Sequence, residues 1–478
     1  MHQSVIYSSV LILLLLIACI TPLNAFVQKS TDESYDTIII GAGISGLTAG
    51  FYLDDADLDL LILEKEAQAG GRTSAGVYKG VRYAQGTEYL GYPAGSLLEM
   101  QRVLGLSPVE IPEPEDSYFY DGTLYSGDKG REDLIIKRAG KSAYDSFAAQ
   151  VLSYGAQYDD IPDMPVDSDL LTLDLITASE WMAQSGIPVA IREIYNVSSR
   201  GIFGANLNEI SALSLIPEAA FDYENGDGSG AYTYVGGITS LTDALADHLG
   251  DQIQYNTTVT SVQRGPDGYL ITAYDQSGGK KTYQSRSVIL AAPAPVALKI
   301  ASEILTPEQK DIMGSIPYAP YITLSLFSDQ PVFEEAYDLA LPDGSFATNL
   351  YDATWVDRHV TGTQFPSDVH IATAYISGSG FSDRSILNLT DEEVKSRVIS
   401  EIDRILPGRT GSITGYSVTR FSNAFPVMIP GAYQRMSRLH DITDGTVQLA
   451  GDYMIYPTFE SVAESGKIAA ENCLDSLI

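Results

Sequence analysis

The chain has 478 residues, more than one hydrophobic core usually serves, so we expect two or three domains. Hydrophobic residues make up 45% of the chain and charged residues only 19%, which argues against long disordered tails. The formal net charge of −33 would repel nucleic acid and anionic membrane surfaces, so no nucleic-acid partner is expected.

The N-terminus carries a targeting pattern. Residues 10–20 are nearly all apolar, too short for a comfortable membrane span but suited to a signal-peptide core. Cleavage could follow Ala25, or Cys19 could be lipidated in a lipoprotein-like box, and an uncleaved anchor stays open. We therefore predict that residues 1–25 are a signal. The protein is expected to be secreted, periplasmic or lipid-anchored on the extracytoplasmic side, reaching a membrane only through this segment.

Residues 36–73 form a predicted βαβ unit. A short apolar run is followed by a G-x-G-x-x-G turn at Gly41, Gly43 and Gly46, then by a helical run and a second apolar run that ends at Glu64. The first glycine permits a tight turn, the second a close approach to a pyrophosphate, and the third close packing of helix on strand. Phosphates favour the helix N-terminus, and the acid is placed to bind ribose hydroxyls. The unit predicts a dinucleotide site.

The middle of the chain alternates between helical and strand-like patterns. Residues 81–90 have a strand-like pattern leading to a glycine turn, and residues 95–230 mix helical patterns with acidic, proline-bearing loops. Residues 253–262 and 269–274 alternate like paired strands. An amphipathic helix is predicted over residues 389–405. These patterns indicate a second region of mixed α and β structure.

The C-terminal stretch returns to the pattern of the opening unit. Residues 447–452 predict a strand that runs into a glycine turn, and a helix over residues 460–473 closes the chain. No serine has glycine at both −2 and +2, and no P-loop occurs. The five histidines and two cysteines form no ligand spacing, so no metal site is predicted. The dinucleotide is then expected to carry the chemistry.

Several segments resemble one family of flavoproteins. Residues 41–50, 63–65 and 70–73 (Gly-Gly-Arg-Thr) look like the N-terminal signature of the flavin-containing amine oxidases, which phytoene desaturases and protoporphyrinogen oxidases share. The Gly-Gly-Arg-Thr extension is the more specific part, because NAD dehydrogenases do not carry it. Four later segments also resemble this group: residues 234–237, 256–262, 420–431 and 449–466. The resemblance therefore spans roughly residues 36–472.

The resemblance implies FAD as the cofactor and an α/β fold. The Rossmann-like FAD-binding domain would be discontinuous, with an inserted α+β substrate domain. The FAD-binding domain would comprise residues 36–80, 231–300 and 436–478. The substrate domain would comprise residues 81–230 and 301–435.

The resemblance also implies a set of cofactor-binding residues. They are, in chain order, Gly41, Ala42, Gly43, Ile44, Ser45, Gly46, Glu64, Lys65, Gly71, Arg72, Gly86, Thr87, Glu88, Val259, Gly451, Asp452, Thr458, Phe459 and Val462. Gly41, Gly43, Ser45 and Gly46 would hold the pyrophosphate, with Gly71 and Arg72 running along the phosphates. Glu64 would bind the adenosine ribose, and the Val259 backbone would meet the adenine.

The remaining members would lie toward the flavin ring. Residues 86–88 would approach it, residues 451–452 would bind the ribityl-phosphate region, and residues 458–462 would close over it. The N-terminus of the last helix would stabilise negative charge on a reduced flavin. Catalytic residues stay unknown, and the candidates lining the flavin are Tyr321, Tyr456 and Thr458.

The chain departs from the amine-oxidase pattern in two places. Residues 315–322 contain no lysine where amine oxidases usually carry one near the flavin, and Thr458 stands where many carry a tyrosine. No cysteine lies near the C-terminal motif, so attachment of FAD through that thiol is not expected. These departures weaken the case for an amine substrate without weakening that for FAD.

Three functions therefore stay open. The first is an exported FAD-dependent, amine-oxidase-like oxidoreductase that transfers hydride from a small-molecule substrate to the flavin, with molecular oxygen or another electron acceptor reoxidising it. The second is a desaturase or isomerase of an apolar polyene such as a carotenoid. The third is a non-catalytic binding module built on a flavin fold.

Overall fold

Two seven-stranded sheets organise the computed structural model, which describes residues 33–54, 56, 58–155, 170–223, 230–443 and 445–477. Residues 34–478 belong to one compact unit. The predicted signal, residues 1–25, lies outside the described residues. None of the described helices is long and apolar enough to cross a membrane.

The helices are numbered here in chain order. They are α1 Ile44–Asp54, α2 Gly95–Leu104, α3 Gly127–Ala139, α4 Lys141–Gly155, α5 Leu171–Asp174, α6 Ala178–Gln184, α7 Val189–Phe203, α8 Ala212–Phe221, α9 Thr239–Leu249, α10 Ala294–Ala301, α11 Pro307–Gly314, α12 Trp355–Thr361, α13 Asp391–Ile405, α14 Ala432–Asp441 and α15 Phe459–Leu477. The predicted helix over residues 389–405 is α13, which starts after a capping box at Thr390 and Glu393.

The strands are numbered in the same way. They are β1 Glu33–Ile40, β2 Leu60–Leu63, β3 Ala75–Tyr78, β4 Val81–Ala84, β5 Val109–Glu110, β6 Asp116–Tyr120, β7 Thr123–Ser126, β8 Tyr232–Thr233, β9 Ile253–Gln254, β10 Thr257–Gly265, β11 Gly268–Asp275, β12 Lys280–Leu290, β13 Tyr318–Ser328, β14 Asp338–Ala340, β15 Asn349–Asp352, β16 His370–Ser377, β17 Ile413–Pro426 and β18 Val447–Leu449.

The first sheet contains the predicted βαβ unit. Its strand order is β10-β11-β12-β1-β2-β9, and β18 pairs with β12. Strands β1 and β2 run parallel with α1 between them, as the glycine pattern predicts, and β12 pairs in parallel with β18 from the far end of the chain. Residues 38–40, 60–63 and 288–290 of these strands are apolar and buried, and helices such as α1 and α15 pack on them. The carboxyl ends of β1 and β2 therefore lie side by side beneath the glycine turn.

One predicted strand of the first sheet is divided in two. The pattern over residues 253–262 predicts one strand, whereas the chain forms β9 and then β10. Asn256 separates them with a φ of +54°, a left-handed conformation that a continuous strand cannot contain. The predicted hairpin that follows is confirmed, since Gly265 and Gly268 pair at the turn between β10 and β11.

The second sheet has two chemically different faces. Its strand order is β17-β13-β16-β15-β14-β6-β7. The apolar face packs against α13 and is built from alternate residues of the central strands: Ile322, Leu324, Leu339, Leu350, Ala374 and Ile376. The residues between them point to the other side. We call this second side the polar face, and by strand register it carries Tyr321, Thr323, Asp338, Asn349, Tyr351 and Tyr375.

The two sheets draw on different parts of the chain. Strands of the first sheet come from residues 33–63, 253–290 and 447–449, and those of the second from residues 116–126 and 318–426. Because residues 34–478 form a single compact unit, the proposed domain boundaries stay a prediction.

Candidate cofactor and substrate site

The glycine turn after β1 has no room for side chains at two of its three glycines. Gly41 has a φ of +109°, and a Cβ atom there would lie 2.8 Å from the carbonyl oxygen of Ala291. A Cβ atom on Gly46 would lie 2.0 Å from the carbonyl oxygen of Gly41. Both glycines therefore allow α1 to start directly on the end of the sheet.

Gly43 differs because the space beside it is open. A Cβ atom on Gly43 would meet no atom within 4 Å. Gly71 lies alongside, since a Cβ atom on Gly71 would lie 3.5 Å from the Gly43 Cα. The first N–H groups of α1 have no partner inside the helix, which makes this end a site for anions. The space and the donors fit a pyrophosphate, with Ala42, Ile44 and Ser45 forming the buried wall.

Glu64 is held rigidly at the end of β2. Its carboxylate accepts the Ala42 N–H at 2.7 Å and the Glu66 N–H at 2.9 Å, and the side chain is buried. Each carboxylate oxygen retains further acceptor capacity, as ribose hydroxyls would need. Lys65 instead pairs with Glu66 in solvent at 2.7 Å.

Val259 lies in the strand that begins beside Glu64. The Thr257 amide donates to the Glu64 carbonyl at 2.8 Å, which places the start of β10 against the end of β2. The pairing of β10 with β11 then shifts between Val259 and Ser261. Such a bulge leaves backbone groups unpaired near the predicted adenine position.

Arg72 and Asp452 join the two ends of the predicted signature. The Arg72 guanidinium contacts the buried Asp452 carboxylate at 2.6 Å and also bonds the carbonyl of Ala424. Tyr318 donates to the other carboxylate oxygen of Asp452 at 2.6 Å. Tyr318 was not among the site residues predicted from the sequence. The position of Arg72 along the phosphates stays a prediction, and its charge balances Asp452. The neighbouring Gly451 N–H donates to Ser465 Oγ at 2.9 Å.

Helix α15 packs directly on α1. A Cβ atom on Gly466 would lie 2.2 Å from the carbonyl oxygen of Ser45, so the two helices are in close contact. Thr458 caps α15, since its Oγ1 accepts the Ser461 N–H at 3.3 Å, and Phe459 and Val462 are buried behind it.

Residues 85–88 lie between Arg72 and the polar face. The Thr87 N–H donates to the carbonyl of Arg72 at 2.9 Å, and a Cβ atom on Gly86 would lie 2.1 Å from that same oxygen. On the other side, Thr323 Oγ1 donates to the carbonyl of Gln85 at 2.7 Å. The segment predicted to approach the flavin is therefore held between Arg72 and β13 of the second sheet.

Glu88 is a buried carboxyl at the end of this segment. It is only 9% exposed, and the Tyr375 hydroxyl donates to its Oε1 at 3.0 Å and also contacts the carbonyl oxygen of Gly86. Burial raises the pKa of Glu88 to about 8, against the smaller lowering effect of the Tyr375 hydrogen bond. No sequence pattern singles out Tyr375, because its proximity to Glu88 depends on strand register.

Two of the three candidate flavin-lining residues are fully packed. Tyr321 and Tyr456 are each 2% exposed, and they donate to the carbonyl oxygens of Gly201 and Ser214 at 3.0 and 3.1 Å. Since neither ring presents a face to open space, we assign them a supporting role. Thr458 is half-buried and stays the candidate nearest the start of α15.

Glu218 on α8 is a second buried acid, and it contacts Tyr456. The Tyr456 hydroxyl donates to Glu218 Oε1 at 3.3 Å, and its ring stacks on Tyr433 with centroids 5.9 Å apart. Burial raises the pKa of Glu218 to about 7. Glu218 is an acid within the otherwise largely apolar segment 212–221, and this was the one sequence signal that could have pointed to it. Among the described residues, no group of three or more histidine, cysteine or acidic side chains could hold a metal ion.

Comparison with known proteins identifies the family. A family model described as flavin containing amine oxidoreductase matches residues 44–474. The chain belongs to this family. The flavin-containing amine oxidase of Danio rerio is 22% identical over 400 residues, covering 79% of this chain and 71% of that protein. Amine oxidase A of Bos taurus is 24% identical over 321 residues, covering 63% and 58%. The chain thus matches less than two thirds of several of these relatives.

Several solved structures share the fold. A putrescine oxidase double mutant aligns with a TM-score of 0.73 at 18% identity, covering 93% of this chain and 99% of that one. Cyclohexylamine oxidase from Brevibacterium oxydans aligns with a TM-score of 0.72 at 19% identity, covering 93% and 98%. A fatty acid isomerase from P. acnes aligns with a TM-score of 0.66 at 17% identity, covering 91% and 98%.

These findings confirm four predictions from the sequence. The family, the α/β fold class, FAD as the cofactor and the class of FAD-dependent oxidoreductase are as expected. The individual cofactor-binding residues stay predictions, and the geometry around Gly43, Glu64 and Gly71 fits them.

Proposed function

We propose that this family member oxidises an amine, passing hydride from the carbon next to nitrogen to FAD, with molecular oxygen as the electron acceptor. The observation that carries the proposal is Glu88, a buried carboxyl without an ion pair among the described residues, at the end of the segment predicted to approach the flavin. A buried acid of this kind favours a cationic substrate over an apolar polyene.

The chain's own residues would bind and orient the reactants. Bound FAD supplies the hydride acceptor. Glu88 would receive the substrate ammonium and hold its proton-bearing nitrogen in place, while Tyr375 fixes the carboxyl through its hydroxyl at 3.0 Å. The packed rings of Tyr321 and Tyr456 would keep water out behind it.

The named relatives support an amine as the substrate class. The curated relatives include flavin-containing amine oxidases, and the similar solved structures include a putrescine oxidase and a cyclohexylamine oxidase. Similarity to an L-amino acid dehydrogenase of Synechocystis, 21% identical over 387 residues, adds amino acids to the substrates to be tested.

Anaerobic reduction of the flavin tests the proposal. Purified holoprotein is mixed without oxygen with a panel of alkylamines, diamines, amino acids and polyenes, and flavin absorbance is followed. We expect bleaching by amines only, and recovery of the absorbance with release of hydrogen peroxide when oxygen is admitted. Bleaching by no amine would refute the proposal. Recovery only with an artificial acceptor would refute the role of oxygen.

A second candidate is a desaturase or isomerase acting on an apolar substrate. The absence of a lysine from residues 315–322 favours it, and a fatty acid isomerase is among the similar folds. Flavin reduction or double-bond migration with a polyene, and none with amines, would establish it. Membership of a flavin-containing oxidoreductase family argues against the third possibility, the non-catalytic binding module.

We also propose that the protein is exported. The apolar stretch at residues 10–20 supports this, with cleavage after Ala25 or lipidation of Cys19 as the alternatives. Mass spectrometry of the mature N-terminus distinguishes them, with Cys19→Ser as the variant that abolishes only lipidation. Recovery of the intact, unprocessed chain in the cytoplasm would refute export.

A further inference from the structure

The hairpin of β6 and β7 closes one end of the second sheet through a short contact. Strand β6 pairs in parallel with β14 over three positions, Asp116–Tyr118 against Asp338–Ala340, and β7 pairs with β6 at the end of the sheet. Just before this contact, the Tyr337 and Asp338 amides donate to the carbonyl oxygens of Pro114 and Glu115 at 3.1 and 2.8 Å. Within the sheet, the hairpin is therefore attached by a few bonds around Asp338.

Two carboxyls face each other at the first position of this contact. Residues in register on neighbouring strands point to the same side, so Asp116 and Asp338 both lie on the polar face, and we call them the aspartate pair. Asp338 is only 7% exposed, and its Oδ2 accepts the Asn349 side-chain N–H at 2.6 Å, whereas its buried Oδ1 has no hydrogen-bond partner. A buried carboxylate oxygen without a donor is costly, so one donor is missing here.

The cation that faces the aspartate pair is held by other acids. Arg131 on α3 is only 6% exposed, and it pairs with Asp222 at 3.2 Å and with Asp128 at 3.0 Å. Glu113 and Glu115, on the chain just before the pair, add further negative charge. No described lysine or arginine forms an ion pair with either member of the aspartate pair. Its negative charge is therefore not balanced by a cation of its own.

The tyrosines around the aspartate pair stay neutral near pH 7. Burial raises the pKa of each of their hydroxyls further above the ordinary value of 10, so they do not titrate together with the carboxyls. These residues are Tyr89, Tyr118, Tyr321, Tyr337 and Tyr351. The groups that can change charge in this part of the polar face are therefore the acids.

A proton can supply the missing donor. Burial, together with the charge of Asp222, raises the pKa of Asp116 from its ordinary 3.8 to about 7. Burial and the neighbouring Asp116 likewise raise the pKa of Asp338 well above 3.8. Two carboxyls at such close range share a proton, and a protonated carboxyl has the O–H donor that the Asp338 Oδ1 lacks.

We propose that the aspartate pair makes the attachment of the β6–β7 hairpin sensitive to pH. With one proton between the two carboxyls, β6 stays paired with β14. When that proton passes to solvent, two like charges face each other across the strands, and the hairpin separates more readily from β14. This inference goes beyond the proposed function and does not depend on the substrate.

The contact also reaches the predicted substrate region. The ring of Tyr337, the residue before Asp338, lies 6.5 Å from the ring of Tyr89 between centroids. Tyr89 directly follows Glu88, at the end of the segment predicted to approach the flavin. Loosening of β14 would therefore be felt on the polar face beside Glu88.

The direction of the pH response follows from the number of bound protons. The attached hairpin keeps the proton of Asp116 up to about pH 7, whereas an aspartate in solvent loses it near its ordinary pKa of 3.8. Opening therefore releases a proton between these two values, and each pH unit favours opening by up to about tenfold. Above this window both forms are ionised, and opening stops responding to pH.

Hydrogen exchange in the holoprotein, followed by mass spectrometry, tests the proposal. Exchange of peptides covering residues 116–126 is measured at several pH values and corrected with unfolded peptides for the intrinsic effect of pH. We expect the protection of these amides to fall by up to about 100-fold between about pH 5 and about pH 7, and then to level off. The readout is local because Glu88, whose pKa is also raised, contributes to the stability of the whole protein.

Three variants sharpen the test. Asp338→Asn keeps the shape and replaces the shared proton with a permanent N–H donor, so protection of residues 116–126 should become nearly constant over this pH range. Asp116→Asn makes the same change on the other strand and should have the same effect. Asp121→Asn is the matched control, because its side chain is 72% exposed in the turn of the same hairpin, and it should keep the wild-type response. Bound FAD confirms that each variant is folded.

The wild type alone can overturn the proposal. Protection of residues 116–126 that is unchanged between about pH 5 and about pH 7 would do so without any variant. An Asp338→Asn or Asp116→Asn protein that keeps the wild-type response would also overturn it. If one of these variants does not fold, the other decides, and if neither folds, the wild-type profile decides.

Discussion

The two sheets are suited to their predicted ligands in opposite ways. At the end of the first sheet, glycines leave the backbone bare, and the space beside Gly43 is free of side chains. On the polar face of the second sheet, long side chains such as Tyr375 and Tyr351 extend from the strands, with Glu88 placed against them. The predicted cofactor site thus depends on the absence of side chains, and the predicted substrate site on the side chains that are present.

This difference predicts a difference in tolerance. A bare backbone site is lost as soon as any atom is added, because the phosphate and a side chain would compete for one space. A side-chain site can be altered by single atoms with a graded result. The following predictions run from the largest expected effect to the smallest, and each would weaken the contrast if it failed.

Gly43→Leu should abolish FAD binding while leaving the protein folded. Its Cβ would meet no protein atom within 4 Å, so the fold has room for the side chain and the pyrophosphate does not. Flavin absorbance after purification and circular dichroism measure the two effects. Gly411→Leu is the matched control, since a Cβ there also meets nothing within 4 Å. Stoichiometric FAD in the Gly43→Leu protein would contradict the assignment.

Gly46→Ala should instead destabilise the fold. The added methyl would lie 2.0 Å from the carbonyl oxygen of Gly41, so α1 must move off the sheet. We expect a loss of about 3 kcal/mol in the free energy of unfolding of the apoprotein, measured by urea denaturation. Gly411→Ala should change it by less than about 0.5 kcal/mol. Equal stability of the two variants would show that the close packing of α1 is dispensable.

Glu88→Gln should change the response to pH. The pKa of Glu88 rises from its ordinary 4.5 to about 8 in the folded protein, so the folded state holds an extra proton between these values. Stability is therefore expected to fall as the pH rises through that window, and the glutamine variant should lose this fall. For amine oxidation, kcat/KM should rise with pH through about 8 only in the wild type. Identical profiles for both proteins would remove Glu88 from the site.

Tyr375→Phe should have the smallest effect. The hydroxyl donates to Glu88 Oε1 at 3.0 Å and this bond lowers the carboxyl pKa, so its loss should move the rise in kcat/KM to higher pH. The free energy of unfolding should fall by about 1 kcal/mol. Tyr416→Phe, whose hydroxyl lies in solvent 3.3 Å from Glu392, is the control. An unmoved pH profile would mean that Tyr375 serves packing alone.

The same contrast explains which parts could be predicted from the sequence. The turn at Gly41, Gly43 and Gly46 depends on neighbours in the chain, so its spacing alone indicated the βαβ unit. The break between β9 and β10 at Asn256 was missed, because the alternating pattern continues across a residue whose backbone turns left-handed. Local pattern therefore predicted the elements well and their interruptions poorly.

The substrate side could not be read in this way. Tyr375 and Glu88 come from distant parts of the chain, and their contact depends on strand register in the second sheet. Tyrosine is common here, with 30 in the chain, so no single one stood out. Tyr321 and Tyr456 were chosen for their position along the chain, and both rings are packed away from open space.

The ion pair between Arg72 and Asp452 has a consequence for how the protein is made. Its partners are separated by 380 residues, and the strand before Asp452 pairs with β12 in the first sheet. A ribosome that has released only the first half of the chain has therefore supplied the glycine turn without the groups that close it. Contacts of such long sequence separation form late. Capture of FAD should then follow the end of translation, and chains truncated before residue 447 should emerge without flavin.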